Sequence, residues 1–177
     1  MSMKRLLVPV DGSDHSARAA ELAGALASMY EAEVLLLHVL DPQRLSEERT
    51  RMVEVEHGVS RQPSELPWLA NVPAELAAML TPTQSRDTQE QVLHHIAEKI
   101  VGKANDVLHA EGVSAKRVRV LFRDGQPARA ILDTISDQDV DTVVMGTRGL
   151  SSAAGAMLGS VSQRVASMAP CTVITAR

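Results

Sequence analysis

The chain has one cysteine, three aromatic residues and no long apolar run among its 177 residues. The lone Cys171 excludes an internal disulfide and a cysteine metal cluster, which is typical of a protein from a reducing compartment. Aromatic residues make up only 2% of the chain, namely Tyr30, Trp68 and Phe122. The core is therefore predicted to consist of Leu, Val, Ile, Ala and Met side chains.

The chain also has no excess of positive charge. It carries 18 Lys and Arg against 22 Asp and Glu, a formal net charge of -4, and its basic residues are scattered along the sequence. Nucleic-acid-binding domains usually concentrate basic residues on one face, so nucleic acid is not an expected partner. An anionic ligand would have to be held by local groups.

No segment has the length of a membrane span, and the first apolar run meets Pro9 and Asp11 too early for the apolar region of a signal peptide. We therefore expect a cytoplasmic protein with no membrane insertion. The length and the hydrophobic content of 45% suit one well-buried domain over residues 1–177.

Five short apolar runs predict β-strands, at residues 4–10, 33–40, 116–122, 141–146 and 171–176. Four helical patterns alternate with them, at 13–31, 87–110, from Gln126 through Ile135, and 159–168. The first helix is predicted to share one apolar face among Ala19, Leu22, Ala23, Leu26 and Tyr30. This alternation predicts an α/β fold with an open parallel sheet and helices on both of its faces.

The strand sequences also predict the strand order. The first, second and fourth runs are almost continuously apolar, as in strands covered on both faces, whereas the third alternates Val118, Val120 and Phe122 with arginines. The fifth run follows Pro170 and mixes threonines with apolar residues, so the third and fifth strands are the predicted edges. With right-handed crossovers, the predicted order is 3-2-1-4-5.

The connection after the second strand is unusually long and forms a predicted insertion at about 41–85. Residues 46–57 have the pattern of a charged helix, and Trp68 stands among prolines and apolar residues. Segments of this length are usually functional or disordered, and the Trp68 cluster favours burial. Packing on the body, a lid and a subunit contact remain alternatives for it.

Glycines gather after the fourth strand, in the stretch "GTRGLSSAAGAMLGS". In the predicted strand order the winding reverses between the first and fourth strands, and open α/β sheets bind ligands at that point. Gly146 and Gly149 could adopt a positive φ, or their lack of a side chain could let a ligand approach the backbone closely. Residues Gly159 to Ser162 would form a helix N-terminus that binds an anion. The alternative is an ordinary strand-to-helix connection capped by Ser160.

Two common phosphate motifs are excluded. No lysine follows Gly159, so the Walker A pattern fails, and the loop after the first strand reads "PVDGSDHS" rather than Gly-x-Gly-x-x-Gly. The uninterrupted Gly-x2-Gly-x9-Gly-Ser pattern instead resembles the nucleotide loop of the ATP-binding branch of the universal stress protein family. The opening at Pro9 to Ser13 and the ending "SVSQRVASMAPCTVITAR" resemble the same family.

This resemblance implies an adenine nucleotide as cofactor, ATP with AMP or ADP as alternatives, together with Mg²⁺ held mainly by phosphate oxygens. It places Asp11, with Pro9 and Val10 beside it, and the backbone of Val39 on the adenine and ribose side. It places the phosphates against Gly146, Gly149, Gly159, Ser160, Val161 and Ser162, with no protein ligand for the metal. Met145 is a further binding residue, and Arg148 either adds a positive charge or points into water. For Asp11 the alternative role is to cap the first helix.

The resemblance further implies a homodimer through the strand at 171–176, with a higher oligomer and an unidentified protein partner left open. The expected function is a regulatory protein of the stress response whose assembly or partner binding depends on nucleotide. The alternatives are a slow ATPase, an adenylyl-transferring enzyme of the same fold, and a module for another small ligand. The predicted elements place the histidines away from the ends of the first and fourth strands, so no catalytic triad is expected.

Overall fold

The computed structural model describes residues 3–41, 86–149 and 158–177, with residues 86–93 described by their backbone only. The predicted helix at 46–57 and the cluster around Trp68 lie outside the described residues. The same holds for all of the predicted insertion beyond Asp41, and for residues 150–157 of the glycine stretch.

The described residues form one five-stranded parallel sheet in the order β3-β2-β1-β4-β5. This confirms the predicted order and both predicted edges. The strand bounds agree with the predicted runs to within two residues, and they are β1 Arg5–Pro9, β2 Glu33–Leu40, β3 Val118–Asp124, β4 Thr142–Gly146 and β5 Thr172–Ala176.

Helices cover both faces of this sheet, as predicted. They are α1 Asp14–Tyr30, α2 Arg86–Ala110, α3 Pro127–Asp137 and α4 Ser160–Met168. Side chains of α1 and α2 join one buried apolar cluster with one face of the strands. Side chains of α3 and α4 join a second cluster with the other face. Burial on both faces explains the continuous apolar runs of β1, β2 and β4.

Local sequence signals set most helix ends. Ser13 caps α1 by accepting a hydrogen bond from the Ser16 amide, and Pro127 occupies the first turn of α3. Gly112, just after α2, has a φ of 86°, which a glycine adopts without the cost that a Cβ would bring. The ends of the predicted helices agree with the observed ones to within two residues.

The predicted apolar face of α1 is wrong in part. The helix buries a stripe of small residues, including Ala20, Gly24 and Ala27, whereas Leu22 is 37% exposed and Tyr30 is 45% exposed. Small side chains let the helix axis approach the sheet and α2 closely, and the larger residues then lie on the flank. Both arrangements fit the same helical period, so the sequence pattern alone did not separate them.

The edge strand β3 begins two residues later than predicted, because Ala115–Arg117 forms a turn of 3₁₀ helix. The apolar side chains that alternate along β3 are also less buried than those of the central strands. Val120 and Phe122 are 44% and 39% exposed. Since β3 pairs with β2 on one side only, its outer side chains receive less cover than those of the central strands.

Asp141 joins the starts of β1 and β4. Its Oδ2 accepts hydrogen bonds from the amides of Lys4 at 2.7 Å and Arg5 at 2.9 Å, while its Oδ1 accepts from the Thr142 hydroxyl at 2.9 Å. The amides of Lys4 and Arg5 at the start of β1 need an acceptor, and the Asp141 carboxylate supplies it.

We predict that Asp141→Ala lowers the free energy of unfolding by about 1–3 kcal/mol, because two amides lose a charged acceptor. Chemical denaturation measures the change. The matched control is Asp137→Ala, which removes the exposed 2.9 Å ion pair with Arg123. Exposed pairs contribute about 0–1 kcal/mol, so the control should change stability less. Equal losses in the two variants would contradict this account.

Candidate functional site

The candidate site lies where the carboxyl ends of β1 and β4 meet. These strands are neighbours in the sheet, with Leu7 paired to Val143. Three segments surround the junction: the β1 loop Val10–Ser13, the β4 loop Thr147–Gly149 and the α4 head Gly159–Ser162. The two loops are in direct contact, because a Cβ built on Gly149 would lie 2.5 Å from Oδ2 of Asp11.

In the β1 loop, Asp11 supports the helix cap. Its Oδ1 accepts hydrogen bonds from the Ser13 amide at 3.1 Å and the Ser13 hydroxyl at 2.6 Å, and Ser13 Oγ in turn accepts from the Ser16 amide. The capping role considered for Asp11 is therefore present in an indirect form. Its second oxygen, Oδ2, lies on the side of the β4 loop.

Two groups of β2 fix the backbone of Val10, one residue before Asp11. The Val10 amide donates to the Leu37 carbonyl at 2.8 Å, and the Val10 carbonyl lies 2.8 Å from Nδ1 of His38. A carbonyl oxygen can only accept, so Nδ1 of His38 carries the hydrogen. Strand β2 thus holds the β1 loop in place through both polar backbone atoms of Val10.

Burial lowers the pKa of His38 from its ordinary value of 6.5, against smaller opposing effects of the Val10 hydrogen bond and the Asp11 charge. The ring is therefore neutral at pH 7 and above. In the unfolded chain the ring takes up a proton at a higher pH than in the folded protein.

We predict that stability falls as the pH drops through 6.5 toward the folded pKa of His38, because the unfolded state then binds more protons. Above pH 6.5 this contribution is fully present. Denaturant titrations at pH 7.5 and about 5.5 measure it, and His38→Asn should show a flatter profile than the unmodified protein. An identical pH dependence in the two proteins would contradict the assignment to His38.

Thr147 holds the β4 loop against the α4 head. Its carbonyl accepts from the Gly159 amide at 2.7 Å and lies 2.8 Å from the Ser162 hydroxyl, while its amide donates to the Ala176 carbonyl of β5. The Ser162 hydroxyl is buried and also lies 2.9 Å from the Gly159 carbonyl. The Gly159 amide and the Ser162 hydroxyl are therefore engaged by the protein itself.

The remaining amides of the α4 head belong to the first turn of the helix. The amide of Gln163 donates to the Gly159 carbonyl, which makes it the first amide of α4 with an acceptor one turn earlier. The amides of Ser160, Val161 and Ser162 precede that point, where an α-helix has no intrahelical acceptor. They supply the partial positive charge that favours an anion at a helix N-terminus.

The glycines of the β4 end are needed for contacts within the protein. A Cβ on Gly146 would lie 2.8 Å from the backbone carbon of His15, in the first turn of α1. Neither Gly146 nor Gly149 is among the described glycines with positive φ. Of the two uses considered for these glycines, positive φ is not observed. The lack of a side chain instead allows the close approach of β4 and its loop to α1 and Asp11.

Arg148 carries an unusual polar group. Its Nε is buried and has no hydrogen-bond partner, the one such buried side-chain atom in the part of the chain that the structure describes. A buried donor without an acceptor costs about 1–3 kcal/mol, so an isolated one marks a place where an acceptor is expected. Arg148 stands between Thr147, which holds the α4 head, and Gly149, which contacts Asp11.

The other predicted site residues lie at the same edge with their side chains mostly directed into the core. Met145 is buried in the cluster under α3 and α4, and Val39 packs at its margin. Val10 is buried in the cluster under α1 and α2. Pro9 is the last residue of β1. The side chains of Met145 and Val10 are thus not available to a ligand, and the polar backbone atoms of Val10 are engaged by β2.

Two histidines lie at this edge, contrary to the expectation from the sequence. Nδ1 of His15 lies 3.3 Å from the Thr147 hydroxyl, and His38 contacts Val10 as described. Their sequence positions carried a signal, because His15 is two residues after the α1 cap and His38 is near the end of β2. The carboxyl ends of β1, β2 and β4 share one edge of the sheet, and that placement brings both rings to it.

The sequence model of the Universal stress protein family matches residues 3–177. The chain belongs to the universal stress protein family. A relative in Thermus aquaticus, the universal stress protein in the QAH/OAS sulfhydrylase 3'region, is 31% identical over 174 residues, which are 98% of this chain and 98% of the relative.

Solved structures of universal stress proteins have the same fold. One from Archaeoglobus fulgidus, in complex with dAMP, has a TM-score of 0.59 at 17% identity and covers all of both chains. Another, in complex with cAMP, has a TM-score of 0.58 at 21% identity, covering 100% of this chain and 98% of that one. At these identities the likeness establishes the fold of this universal stress protein.

The described residues of this universal stress protein form neither a cluster of metal-ligating side chains nor a membrane-spanning helix. Among residues 3–41, 86–149 and 158–177, no three or more His, Cys, Asp or Glu side chains are grouped so that they could hold a metal ion. Within those same ranges, none of the helices combines the length and the apolar character that crossing a membrane requires.

Proposed function

We propose that this universal stress protein binds an adenine nucleotide between the β1 loop, the β4 loop and the α4 head. The observation that carries the proposal is the set of first-turn amides of α4, which Thr147 holds against the β4 loop. Arg148 follows Thr147 in that loop, and its Nε has no hydrogen-bond partner. An anionic oxygen would satisfy both kinds of donor. The dAMP and cAMP complexes of two structural neighbours support an adenine nucleotide as the source of that oxygen.

The donors fit phosphate. Three first-turn amides and one guanidinium offer several N–H groups, and each hydrogen bond to a charged group contributes about 1.5–3 kcal/mol. A phosphate could therefore be held with one basic side chain. ATP is the form that we propose, with AMP and ADP as alternatives, and Mg²⁺ would accompany a triphosphate through its phosphate oxygens.

The nucleoside would lie on the side of the β1 loop and the end of β2. Asp11 Oδ2 and the backbone of Val39 are the proposed contacts, with Pro9 and Val10 lining the same edge. Because β2 holds the Val10 backbone, the β1 loop keeps its position without the ligand. Such preorganisation reduces the ordering cost of binding.

Mass spectrometry of the full chain, purified without added nucleotide and gently denatured, tests the proposal. We expect an adenine nucleotide to be released, and calorimetric titration should then rank ATP, ADP, AMP and cAMP. The absence of released nucleotide, together with no binding of any of the four at millimolar concentration, would overturn the proposal. Phosphate release at substoichiometric enzyme would separate slow hydrolysis from retention.

We further propose that, in a stress response, nucleotide binding regulates either self-assembly or the binding of a protein partner. The proposed dimer contact is the outer edge of β5. The Thr172 amide and the Ala176 carbonyl bond to the β4 side, so the backbone groups of Val173 and Thr175 point outward by the strand period of two. Exposed edges of this kind readily pair with a second strand.

We predict that Thr175→Pro converts the dimer into a monomer, because proline removes an outward amide and leaves the bonds to β4 in place. Light scattering after size exclusion measures the mass. Thr175→Val, which keeps the amide, is the control and should remain dimeric. Val173 is less suitable because it packs against the core. A Thr175→Pro protein that is still dimeric would exclude this edge.

A further inference from the structure

His38 offers a second polar atom that the anchoring of the β1 loop does not use. Nδ1 carries a hydrogen and faces the Val10 carbonyl, so in the neutral ring Nε2 has a lone pair and no hydrogen. Burial lowers the pKa of the ring, which keeps this neutral form dominant at pH 7. The Val10 contact thus selects one tautomer of His38.

The selected tautomer presents an acceptor at the carboxyl edge of the sheet. No residue hydrogen-bonds to Nε2 in the part of the chain that the structure describes, and Nε2 is not among the fully buried side-chain atoms there. It therefore remains accessible beside Val10, one residue from Asp11. Most other polar groups of the site are donors, namely the amides of the α4 head and the Arg148 guanidinium.

We propose that His38 is a specificity-determining residue, whose Nε2 accepts a hydrogen bond from an N–H or O–H donor of the bound nucleoside. This inference rests on the proposed function, and it adds a selectivity that phosphate binding alone does not supply. Two groups of an adenine nucleotide are donors of this kind, the 6-amino group of the base and the ribose hydroxyls. A bound ligand without the donor covers Nε2 and leaves it without a partner, which weakens binding.

The first test compares analogues on the unmodified full chain. Calorimetry with ATP, inosine triphosphate, 2'-deoxyATP and 3'-deoxyATP distinguishes the amino group from each hydroxyl. We expect the analogue that lacks the donor to bind about tenfold more weakly, as for the loss of one neutral hydrogen bond. Equal affinities for all four would overturn the inference.

The second test uses His38→Asn, whose side-chain amide can donate to Val10 in place of Nδ1 and has no counterpart of Nε2. We expect this variant to fold, and to bind ATP and the poor analogue equally. His38→Gln, whose side chain reaches toward the Nε2 position, should restore part of the preference. A His38→Asn protein with the unchanged tenfold preference would assign the selectivity to another residue.

The tautomer itself is measured by ¹⁵N NMR of labelled histidine at pH 7.5, which needs no ligand and no variant. We expect Nδ1 of His38 to be protonated, and the Nε2 signal to move when ATP is added. A protonated Nε2 in the free protein would overturn the inference whatever the affinities are. If the unmodified protein binds no nucleotide, the proposed function fails and the selectivity with it, whereas the free-protein tautomer still tests the His38 geometry separately.

Discussion

Gly149→Ala is expected to lower the affinity for ATP by about 100-fold or more. The new Cβ would lie 2.5 Å from Oδ2 of Asp11, so the Asp11 carboxylate must turn away from the position in which we propose that it contacts the nucleoside. Loss of two charge-assisted hydrogen bonds at about 1.5–3 kcal/mol each corresponds to at least that factor. Calorimetric titration of the full chain measures the affinity, and thermal denaturation should show that the fold survives.

A double-mutant cycle separates this cause from a direct clash with the ligand. Oδ2 of Asp11 is the only described atom within 3.4 Å of the added Cβ, so Gly149→Ala should have little further effect in an Asp11→Ala background. If the losses of ATP affinity in the two single variants simply added in the double variant, the account would be contradicted. Gly102→Ala is the control for a harmless glycine replacement, since a Cβ there meets nothing within 4 Å.

Gly146→Ala is expected to destabilise the whole protein. The added Cβ would lie 2.8 Å from the backbone carbon and 3.0 Å from the carbonyl oxygen of His15, and backbone atoms cannot rotate away as a side chain can. Overpacking of this kind costs about 1–3 kcal/mol, and each kcal/mol lowers Tm by about 2–4 °C in a chain of this size.

The control for Gly146→Ala is again Gly102→Ala, on the exposed side of α2. Alanine is favoured over glycine inside a helix by about 0.8–1 kcal/mol, so this control should raise Tm. Differential scanning calorimetry of both variants tests the pair. A Gly146→Ala protein as stable as the unmodified one would show that β4 and α1 can separate without loss.

The sheet was predictable because its signals are local and repeated. Continuous apolar runs mark the central strands, Arg117 and Arg119 mark the β3 edge, and the Ser13 cap and Pro127 set helix starts. Each of these signals acts within a few residues. Strand order then follows from short right-handed crossovers.

The meeting of the candidate residues at one edge of the sheet was predictable, and their contacts with each other were less so. Gly146 was singled out for a ligand, yet its closest neighbour is the backbone of His15. Thr147 was not singled out at all, although it joins the α4 head, β5 and His15, the last 132 residues away in sequence. Contacts of this range depend on how elements pack, which no local pattern encodes.

The central claim is that main-chain amides of the α4 head, with Arg148, hold the phosphates. Titration of the ¹⁵N-labelled full chain with Mg²⁺-ATP, followed by amide NMR spectra, tests it most directly. We predict the largest shifts at the amides of Ser160 and Val161 and at Nε of Arg148. Saturable binding of ATP that leaves these three signals in place would contradict the claim.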